Sequence, residues 1–344
     1  MGFLSRNGRG VGAAGDIAID LGTANTVIFV RGRGVVMSEP SVVAIDQRTG
    51  EVHAVGLDAN RMIGRTPATI SADRPLRHGV IADFDVAEAM LRHFMGKVVH
   101  SRFARPRVIM CAPSGITEVE RRAIEEAALS AGARQVRLIE EALAGAIGAG
   151  LEIAEPVGRM IVDIGGGTTE VAIISLGGIV VSRSLRVGGH DLDDAIGAYL
   201  RSEHRMAIGT TSAEAIKIEV GSAVPLADEI ETRVRGRDLM SGLPREVVLS
   251  SSDLRVAIEP LVAEIVAAVH DTLEEAPPEL AADMTRHGLV CCGGGVLLRG
   301  LATRLEAETG MDVAIAEDPL NCVAIGSGHA LEELDRLAPR RGRA

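Results

Sequence analysis

The sequence predicts an α/β protein made of two related halves. A strand, a glycine-rich turn and a second strand occur twice, as IAIDLGTANTVIFV at 17–30 and as VDIGGGTTEVAII at 162–174. Patterns of buried strands and amphipathic helices alternate between the two copies, which is typical of a largely parallel sheet covered by helices. The chain of 344 residues is also longer than one hydrophobic core usually serves.

The two hairpins predict a phosphate site. A glycine turn exposes backbone N–H groups and lets phosphate oxygens approach closely. Asp20 and Asp163 each end the first strand of a copy, 143 residues apart (163 − 20), and such carboxylates suit a hydrated Mg²⁺. Either hairpin alone could be an ordinary β-turn. Two copies favour a nucleotide held between the halves, and a third glycine cluster, Gly293 to Gly295, could accept its base or ribose.

Three elements of the first half follow from apolar spacing. They are a helix, a strand buried on both faces and a strand that turns into a helix: Val86–Val99, Arg107–Pro113 and 136–150. Thr117 and Glu120 form a capping-box pattern ahead of another helix. Glu140 and Glu141 lie where the strand of 136–150 turns into its helix.

The second half repeats this logic after a longer interruption. A helix is predicted to begin near Gly188-Gly189, and the pattern then loosens to about residue 259. A new helix is predicted to start at Ser251-Ser252-Asp253. The amphipathic helical stretch from Pro260, ended by Pro277-Pro278, precedes the final strand, glycine run and helix.

Composition excludes several classes of protein. The net charge of −11 and pI near 5.4 argue against a nucleic-acid partner, since phosphate contacts need a basic surface. The four cysteines have neither metal nor disulfide spacing, which fits a reducing cytoplasm: Cys111, Cys291, Cys292 and Cys322. The N-terminus has no apolar core, so it is not a signal peptide. Its Phe3-Leu4 pair lies beside arginines, in a tail that is either disordered or in contact with an anionic membrane.

Further segments resemble one family in content and in order. DLGTANT, EPSVVAID, TPATI, RPLRHGVIADF, PSGITEVERRAI, VDIGGGTTEVAIISLGGIV, GRDLMSGLPREV and PPELAADMTRHGLVCCGGGVLLRGL look like segments of the bacterial actin homologue MreB. That family belongs to the actin, Hsp70 and sugar-kinase superfamily. The match covers roughly Asp16 to Glu333, nearly the whole chain.

The resemblance implies an actin-like fold: two related, ribonuclease H-like α/β domains, each with a smaller inserted subdomain, and ATP with Mg²⁺ in the cleft between them. The implied limits are a tail at 1–15; a first domain of 16–155 plus 316–335, with an insertion at about 33–82; a second domain of 156–315, with an insertion at about 190–259; and a basic tail at 336–344.

The resemblance also implies roles for individual residues. Asp20 and Asp163 would hold the metal through water. Glu141 would orient or deprotonate the attacking water with help from Thr168, a role that phosphoryl transfer can use; the alternative for Glu141 is a simple acid at a helix N-terminus. The phosphates would lie on the two hairpins: Gly22, Thr23, Ala24 and Asn25, and Gly165, Gly166, Gly167 and Thr168. The adenosine would contact Glu214, Lys217, Gly293, Gly294 and Gly295.

Four positions depart from the family pattern. Ala142 replaces a proline after the catalytic glutamate, which would relax the loop that carries it. Ala215 replaces an arginine, which would thin the base contacts. Cys292 replaces a threonine at a strand end. His190 stands where an acid is common; we expect it to be exposed and solvated, and we assign it no role.

The implied function is a cytoskeletal ATPase that polymerises into filaments along the inner face of the cell membrane. Its partners would be other copies of the chain, the cell-wall synthesis and elongation machinery, and the anionic membrane surface, with Phe3, Leu4 and Phe103 as candidate membrane contacts. The alternatives are a small-molecule kinase of the sugar-kinase type and a non-polymerising ATP-binding paralogue. An Hsp70-like chaperone is disfavoured because little chain follows the last predicted helix.

Overall fold

The computed structural model describes residues 15–99 and 105–337, without the side chains of 333–337. The elements up to residue 148 are, in chain order, β1 (Ile17–Leu21), β2 (Asn25–Val30), β3 (Gly34–Pro40), β4 (Val43–Asp46), β5 (Val52–Val55), α1 (Leu57–Asn60), β6 (Ile70–Asp73), β7 (Leu76–Arg77), β8 (Val80–Ile81), α2 (Phe84–Val98), β9 (Arg107–Ala112), α3 (Glu118–Ser130), β10 (Gln135–Glu140) and α4 (Glu141–Gly148).

The elements after residue 148 are β11 (Arg159–Ile164), β12 (Thr169–Ser175), β13 (Gly178–Leu185), α5 (Gly189–Glu203), β14 (Met206–Ala207), α6 (Thr210–Val220), β15 (Glu231–Asp238), β16 (Pro244–Ser250), α7 (Ser251–Glu274), α8 (Pro278–His287), β17 (Leu289–Cys292), a 3₁₀ turn (Gly294–Leu297), α9 (Leu301–Thr309), β18 (Val313–Ile315) and α10 (Cys322–Leu337).

Two five-stranded sheets with the same topology form the centre of the molecule. The first sheet has the order β10-β9-β1-β2-β3, and the second has the order β18-β17-β11-β12-β13. In each, three consecutive strands pair as an antiparallel meander, and two later strands add in parallel beside the first. The glycine hairpins at 17–30 and 162–174 are therefore the same structural element in two related halves.

The helices that follow the last strands are exchanged between the sheets. Helix α4 follows β10 of the first sheet but packs against β11 and β12 of the second, while α10 follows β18 and packs against β1, β2 and β9. The two helices also pack on each other at Gly148 and Gly326, where an added Cβ would overlap backbone carbonyl groups of the facing helix. The end of the chain thus completes the core of the first sheet, in which Leu331 is 2% exposed.

Smaller sheets occur in the two places where the sequence predicts insertions. The sheet β5-β4-β6 lies in the chain between β3 and β9, and the sheet β14-β15-β16 lies between β13 and β17. The two-strand hairpin β7-β8 follows the first of them. The limits of the domains stay a prediction.

Helices α3 and α7 both begin with a capping box. Thr117 accepts a hydrogen bond from the Glu120 amide at 3.2 Å, and its own amide donates to the Glu120 carboxylate at 2.7 Å, so the predicted capping box is confirmed. The predicted helix start at Ser251-Ser252-Asp253 is confirmed. Helix α7 begins at Ser251, capped by Ser250 and Asp253, and runs through the proline. A proline inside a helix removes one backbone hydrogen bond. The helix continues through Pro260 because apolar residues before and after it are buried in the core of the second half.

Within residues 15–99 and 105–337, no helix is long and apolar enough to cross a membrane.

Candidate functional site

The two glycine hairpins face each other at the foot of a cleft of about 590 Å³. Asp20 pairs with Val27 in the first hairpin, and Asp163 pairs with Glu170 at the equivalent position of the second. The turns are in contact, because a Cβ on Gly166 would lie 2.6 Å from Ala24 Cβ. Any larger residue at Gly166 would push the two halves apart. The structure thus brings together the predicted phosphate-binding residues from both copies: Gly22, Thr23, Ala24, Asn25, Gly165, Gly166, Gly167 and Thr168.

Each turn is closed by short hydrogen bonds. The Gly165 amide donates to the Thr168 carbonyl at 2.8 Å, which closes the second turn. In the first, the Ser41 hydroxyl donates to the Gly22 carbonyl at 2.6 Å. These bonds satisfy the Thr168 and Gly22 carbonyls, whereas phosphate oxygens need N–H donors.

The turn between β7 and β8, which sequence analysis missed, contacts both glycine hairpins. His78 and Gly79 form the turn of β7-β8, with φ of 48° and 74°. The Gly79 amide donates to Thr23 Oγ1 at 3.0 Å, and His78 Nδ1 lies 3.1 Å from the Gly167 carbonyl oxygen. Two-residue hairpin turns of this kind need positive φ at both positions. Glycine favours such a turn, so Gly79 was the sequence signal that could have predicted it.

Asp20 and Asp163 provide a carboxylate pair that fits a divalent cation. Burial, followed by the charge of Asp163, raises the pKa of Asp20 to about 7. Burial, followed by the charge of Glu170, raises the pKa of Asp163 to about 7. Buried carboxylates that repel each other are stabilised by a cation between them, and Mg²⁺ accepts one or two carboxylates while keeping its waters. Among the described residues, no group of three or more potential metal ligands occurs, so a cation here would rely on water or phosphate oxygens.

Glu141 is the first residue of α4 and lines the cleft. It is 9% exposed, whereas its neighbour Glu140 is exposed. Burial, followed by the charges of Asp20, Glu170 and Asp163, raises the pKa of Glu141 well above its usual value. A solvated helix-terminal acid would show none of this, so the geometry favours a role in the cleft. Thr168 lines the same cavity.

Glu170 was also missed by sequence analysis. It lies on β12 in an otherwise apolar strand and is 1% exposed. Its carboxylate accepts hydrogen bonds from the Ser114 amide, at 3.1 Å, and from the Ser184 hydroxyl. Burial raises its pKa, although these hydrogen bonds oppose the rise. The only sequence signal for it was a charged residue inside a strand pattern that is apolar on both faces.

The third glycine cluster lies beside the second hairpin, where a Cβ on Gly293 would overlap Asp163 Oδ1, and apolar side chains also line this part of the cleft. Gly293, Gly294 and Gly295 line it, and Gly293 needs its positive φ of 83°. The side chains of Ile218, Leu297 and Leu320, which also line it, are exposed by 71%, 56% and 53%. A flat aromatic ring would cover them, and burying apolar surface is favourable. The predicted adenosine residues Glu214, Lys217, Gly293, Gly294 and Gly295 all line the cleft.

Glu214 and Lys217 lie on α6 and line the same cleft, but Lys217 is already paired. Its ammonium donates to the Gly189 carbonyl at 2.6 Å and forms an ion pair with Asp193 at 2.8 Å. The Gly189 amide in turn donates to the Gly165 carbonyl at 2.9 Å. Lys217 therefore ties α6 to the start of α5, and the Gly189 amide bonds that start to the second hairpin.

The expected exposure of His190 is wrong. His190 is half-buried, and its Nε2 atom is buried without a hydrogen-bond partner in the structure. Burial, followed by the positive charges of Arg74 and Lys217, lowers its pKa to about 3. It lines the cleft because the start of α5 is bound to the second hairpin, where the His190 amide donates to the Gly166 carbonyl at 2.8 Å.

The other three departures from the family pattern are Ala142, Cys292 and Ala215. Ala142 is buried in a core cluster together with Cys292, and Ala215 is exposed on α6. All four cysteines are buried thiols. The predicted membrane contacts Phe3, Leu4 and Phe103 lie outside the described residues.

The paired hairpins, the facing carboxylates and the duplicated sheet define a nucleotide-binding protein of the actin-like class. Comparison with known proteins agrees. The family model described as MreB/Mbl protein matches residues 14–339. The chain belongs to the MreB/Mbl family, so the family assignment made from the sequence is confirmed.

Close relatives match along almost their whole length. The chain is 54% identical to the cell shape-determining protein MreB of Escherichia coli (strain K12), over 93% of this chain and 94% of that protein. It is 50% identical to the cell shape-determining protein Mbl of Bacillus subtilis (strain 168), over 95% and 99%. The crystal structure of MreB 5 of Spiroplasma citri bound to AMPPNP superposes with a TM-score of 0.88, at 40% identity, over 95% and 98%. The predicted actin-like fold is therefore confirmed.

Proposed function

We propose that the protein is a cytoskeletal ATPase that binds ATP with Mg²⁺, polymerises into filaments and determines cell shape. The observation that carries the proposal is the contact between the two glycine hairpins, each with its carboxylate at the same register position. Family membership supports the role in cell shape, and the AMPPNP in the Spiroplasma relative supports a nucleotide in this cleft. The kinase and non-polymerising alternatives are not favoured.

In this proposal the backbone amides of the two turns bind the phosphates. Asp20 and Asp163 hold Mg²⁺ through water, and the metal supplies charge neutralisation for the phosphates. Because both hairpins contact one ligand, binding favours the arrangement in which the two halves are close together.

Glu141 is the proposed base or water-orienting group. Its raised pKa makes the carboxylate a better proton acceptor once it is ionised, and its buried position keeps it among a few fixed neighbours. Thr168 is placed by the second turn, where its carbonyl is already bonded to the Gly165 amide, and its side chain helps to orient the same water. The chain contributes positioning and charge, which is what phosphoryl transfer requires.

Polymerisation and membrane attachment extend the proposal beyond the site. A filament repeats one head-to-tail contact that does not close. We place the filament in the cytoplasm, along the inner face of the membrane, with Phe3, Leu4 and Phe103 as membrane contacts and the cell-wall synthesis machinery as partner. The net charge of −11 disfavours attachment by overall electrostatic attraction to anionic lipid, which is why apolar side chains are proposed as contacts.

The catalytic assignment is tested by Glu141→Ala, with Glu140→Ala as the matched control. Glu141→Ala should bind ATP with near-normal affinity but lower the hydrolysis rate by about 100-fold, as loss of a positioned base does. Glu140→Ala, at the exposed neighbouring carboxylate, should hydrolyse ATP normally. Phosphate release and equilibrium binding of a fluorescent ATP analogue provide the measurements. Normal turnover by Glu141→Ala would refute the assignment.

The metal and filament assignments need separate assays. Asp163→Asn should lose the Mg²⁺ dependence of nucleotide affinity, measured as binding with and without the metal. Sedimentation with ATP, with and without vesicles of anionic lipid, followed by electron microscopy of the pellets, tests polymerisation. A chain that binds ATP yet stays monomeric under all these conditions would contradict the cytoskeletal function.

A further inference from the structure

Glu170 joins the two halves of the molecule behind the second hairpin. Its Oε2 atom accepts the Ser114 amide hydrogen at 3.1 Å, and its Oε1 atom accepts the Ser184 hydroxyl hydrogen. Ser114 lies directly after β9 of the first sheet, whereas Glu170 and Ser184 are cross-strand partners on β12 and β13 of the second sheet. One buried carboxylate therefore bonds a loop of one half to two strands of the other.

The loop that Glu170 holds leaves the same sheet edge as Glu141. Strands β9 and β10 are parallel neighbours, and Ala112 at the end of β9 pairs with Glu140 at the end of β10. The segment 113–115 and Glu141 therefore begin side by side. Thr168 lies two residues before Glu170, at the end of the second turn.

Close packing leaves this loop little freedom. A Cβ on Gly115 would lie 3.3 Å from Ser184 Cβ, and a Cβ on Gly79 would lie 2.6 Å from Pro113 Cγ and 3.1 Å from Thr168 Cγ2. The segment 113–115 is thus held between the His78-Gly79 turn and β13. An ion pair between Glu120 and Arg186, at 3.6 Å, continues the same contact between the halves toward the surface.

We propose that Glu170 is a positioning residue for ATP hydrolysis, which sets the distance between Glu141 on the first half and Thr168 on the second. The inference rests on the proposed function, because it concerns the reaction assigned to that cleft. Glu170 is absent from the lining of the cleft, so it acts through the Ser114 loop and not on the nucleotide. The hydrogen bonds carry the positioning, whereas the charge of Glu170 acts separately by raising the pKa of Asp163 and of Glu141.

The test compares four variants of the full chain. Glu170→Ala removes both hydrogen bonds. Glu170→Gln keeps them, because its amide oxygen accepts from Ser114 and its NH₂ group donates to the Ser184 oxygen. Ser184→Ala removes one bond in case Glu170→Ala fails to fold. Ser182→Ala is the matched control, two residues away on the same strand and exposed.

The readouts separate positioning from general stability. Glu170→Ala should slow single-turnover ATP hydrolysis by about tenfold or more, since small misplacements of catalytic groups are costly, while the affinity for a fluorescent ATP analogue with Mg²⁺ stays within about threefold. Ser184→Ala should show a smaller loss in the same direction. Ser182→Ala should remain within about threefold of the wild type in both measurements. Glu170→Gln should hydrolyse ATP clearly faster than Glu170→Ala, because it keeps the hydrogen bonds and loses only the charge. Hydrogen exchange of the Ser114 amide should accelerate in Glu170→Ala and stay slow in Glu170→Gln.

Several outcomes would overturn the inference. Normal single-turnover hydrolysis by Glu170→Ala would do so. Equal impairment of Glu170→Gln and Glu170→Ala would show that charge, and not hydrogen bonding, matters. A parallel fall of rate and affinity in Ser184→Ala would indicate a general structural role. If the wild type hydrolyses no ATP at all, the proposed function itself fails, and exchange of the Ser114 amide still reports separately whether Glu170 fixes the loop.

Discussion

Protonation of His190 should make a destabilising contribution when the nucleotide-free protein is acidified. In the unfolded chain a histidine has a pKa near 6.5, whereas burial and nearby cations lower the pKa of His190 to about 3 in the folded protein. The unfolded state therefore binds the proton more tightly. The stability linked to this group is present above the unfolded pKa and is lost as the pH falls toward the folded one.

The size of the effect follows from the two pKa values. At pH 5 the linkage relation gives roughly 2 kcal/mol for a change from 6.5 to about 3, and at pH 7.5 it gives almost nothing. The groups that face the imidazole are Arg74, His78 and Lys217, and all of them disfavour its cationic form. Because His190 is only partly buried, solvent should reduce the expected loss to about 1–2 kcal/mol.

The assay is urea denaturation at pH 7.5 and pH 5.0 without nucleotide. The change in the free energy of unfolding from pH 7.5 to pH 5.0 should be about 1–2 kcal/mol more favourable in His190→Gln than in the wild type, since glutamine has no proton to bind. His53→Gln, at an exposed histidine, provides the control and should follow the wild type. If His190→Gln loses as much stability as the wild type between the two pH values, the burial argument is refuted.

Two further predictions concern the scaffold. Gly326→Ala should destabilise the protein by about 1–3 kcal/mol in urea denaturation, because its Cβ would overlap the Ala144 carbonyl of the facing helix. Gly197→Ala, in a helix with nothing within 4 Å of the added Cβ, should instead gain about 0.5–1 kcal/mol, and equal effects of the two would contradict the close helix contact. Thr117→Ala should cost about 1 kcal/mol through loss of the capping box with Glu120, a loss that restoring serine at position 117 should largely reverse.

Much of the site could be predicted from the sequence because it is local. A glycine turn between two strands needs only a few consecutive residues, and the aspartate at the strand end is fixed by the same short stretch. The strand alternation then determines which side chains share a face. For this reason the two hairpins, Asp20, Asp163 and the helix start at Thr117 could be predicted without knowledge of the fold.

Other parts of the site depend on contacts between distant segments. His78 lies 89 residues from the Gly167 carbonyl it contacts, and Ser114 lies 56 residues from Glu170. Nothing in the neighbouring residues of Glu170 indicates that its carboxylate finds partners inside the protein. The expected exposure of His190 failed for the same reason, since its environment is set by Arg74 and Lys217 from other elements.

The sequence by itself determined the duplicated hairpin, the carboxylate at each strand end, the α/β class and, through resemblance, the family. These features depend on residues that are neighbours in the chain, or on many segments that keep one order. Only the tertiary structure decided that α4 and α10 exchange sheets, that Lys217 is paired with Asp193, and that Glu170 bonds the halves together. Such contacts form between surfaces whose relative position is set by the packing of both cores, and a linear pattern carries no record of that position.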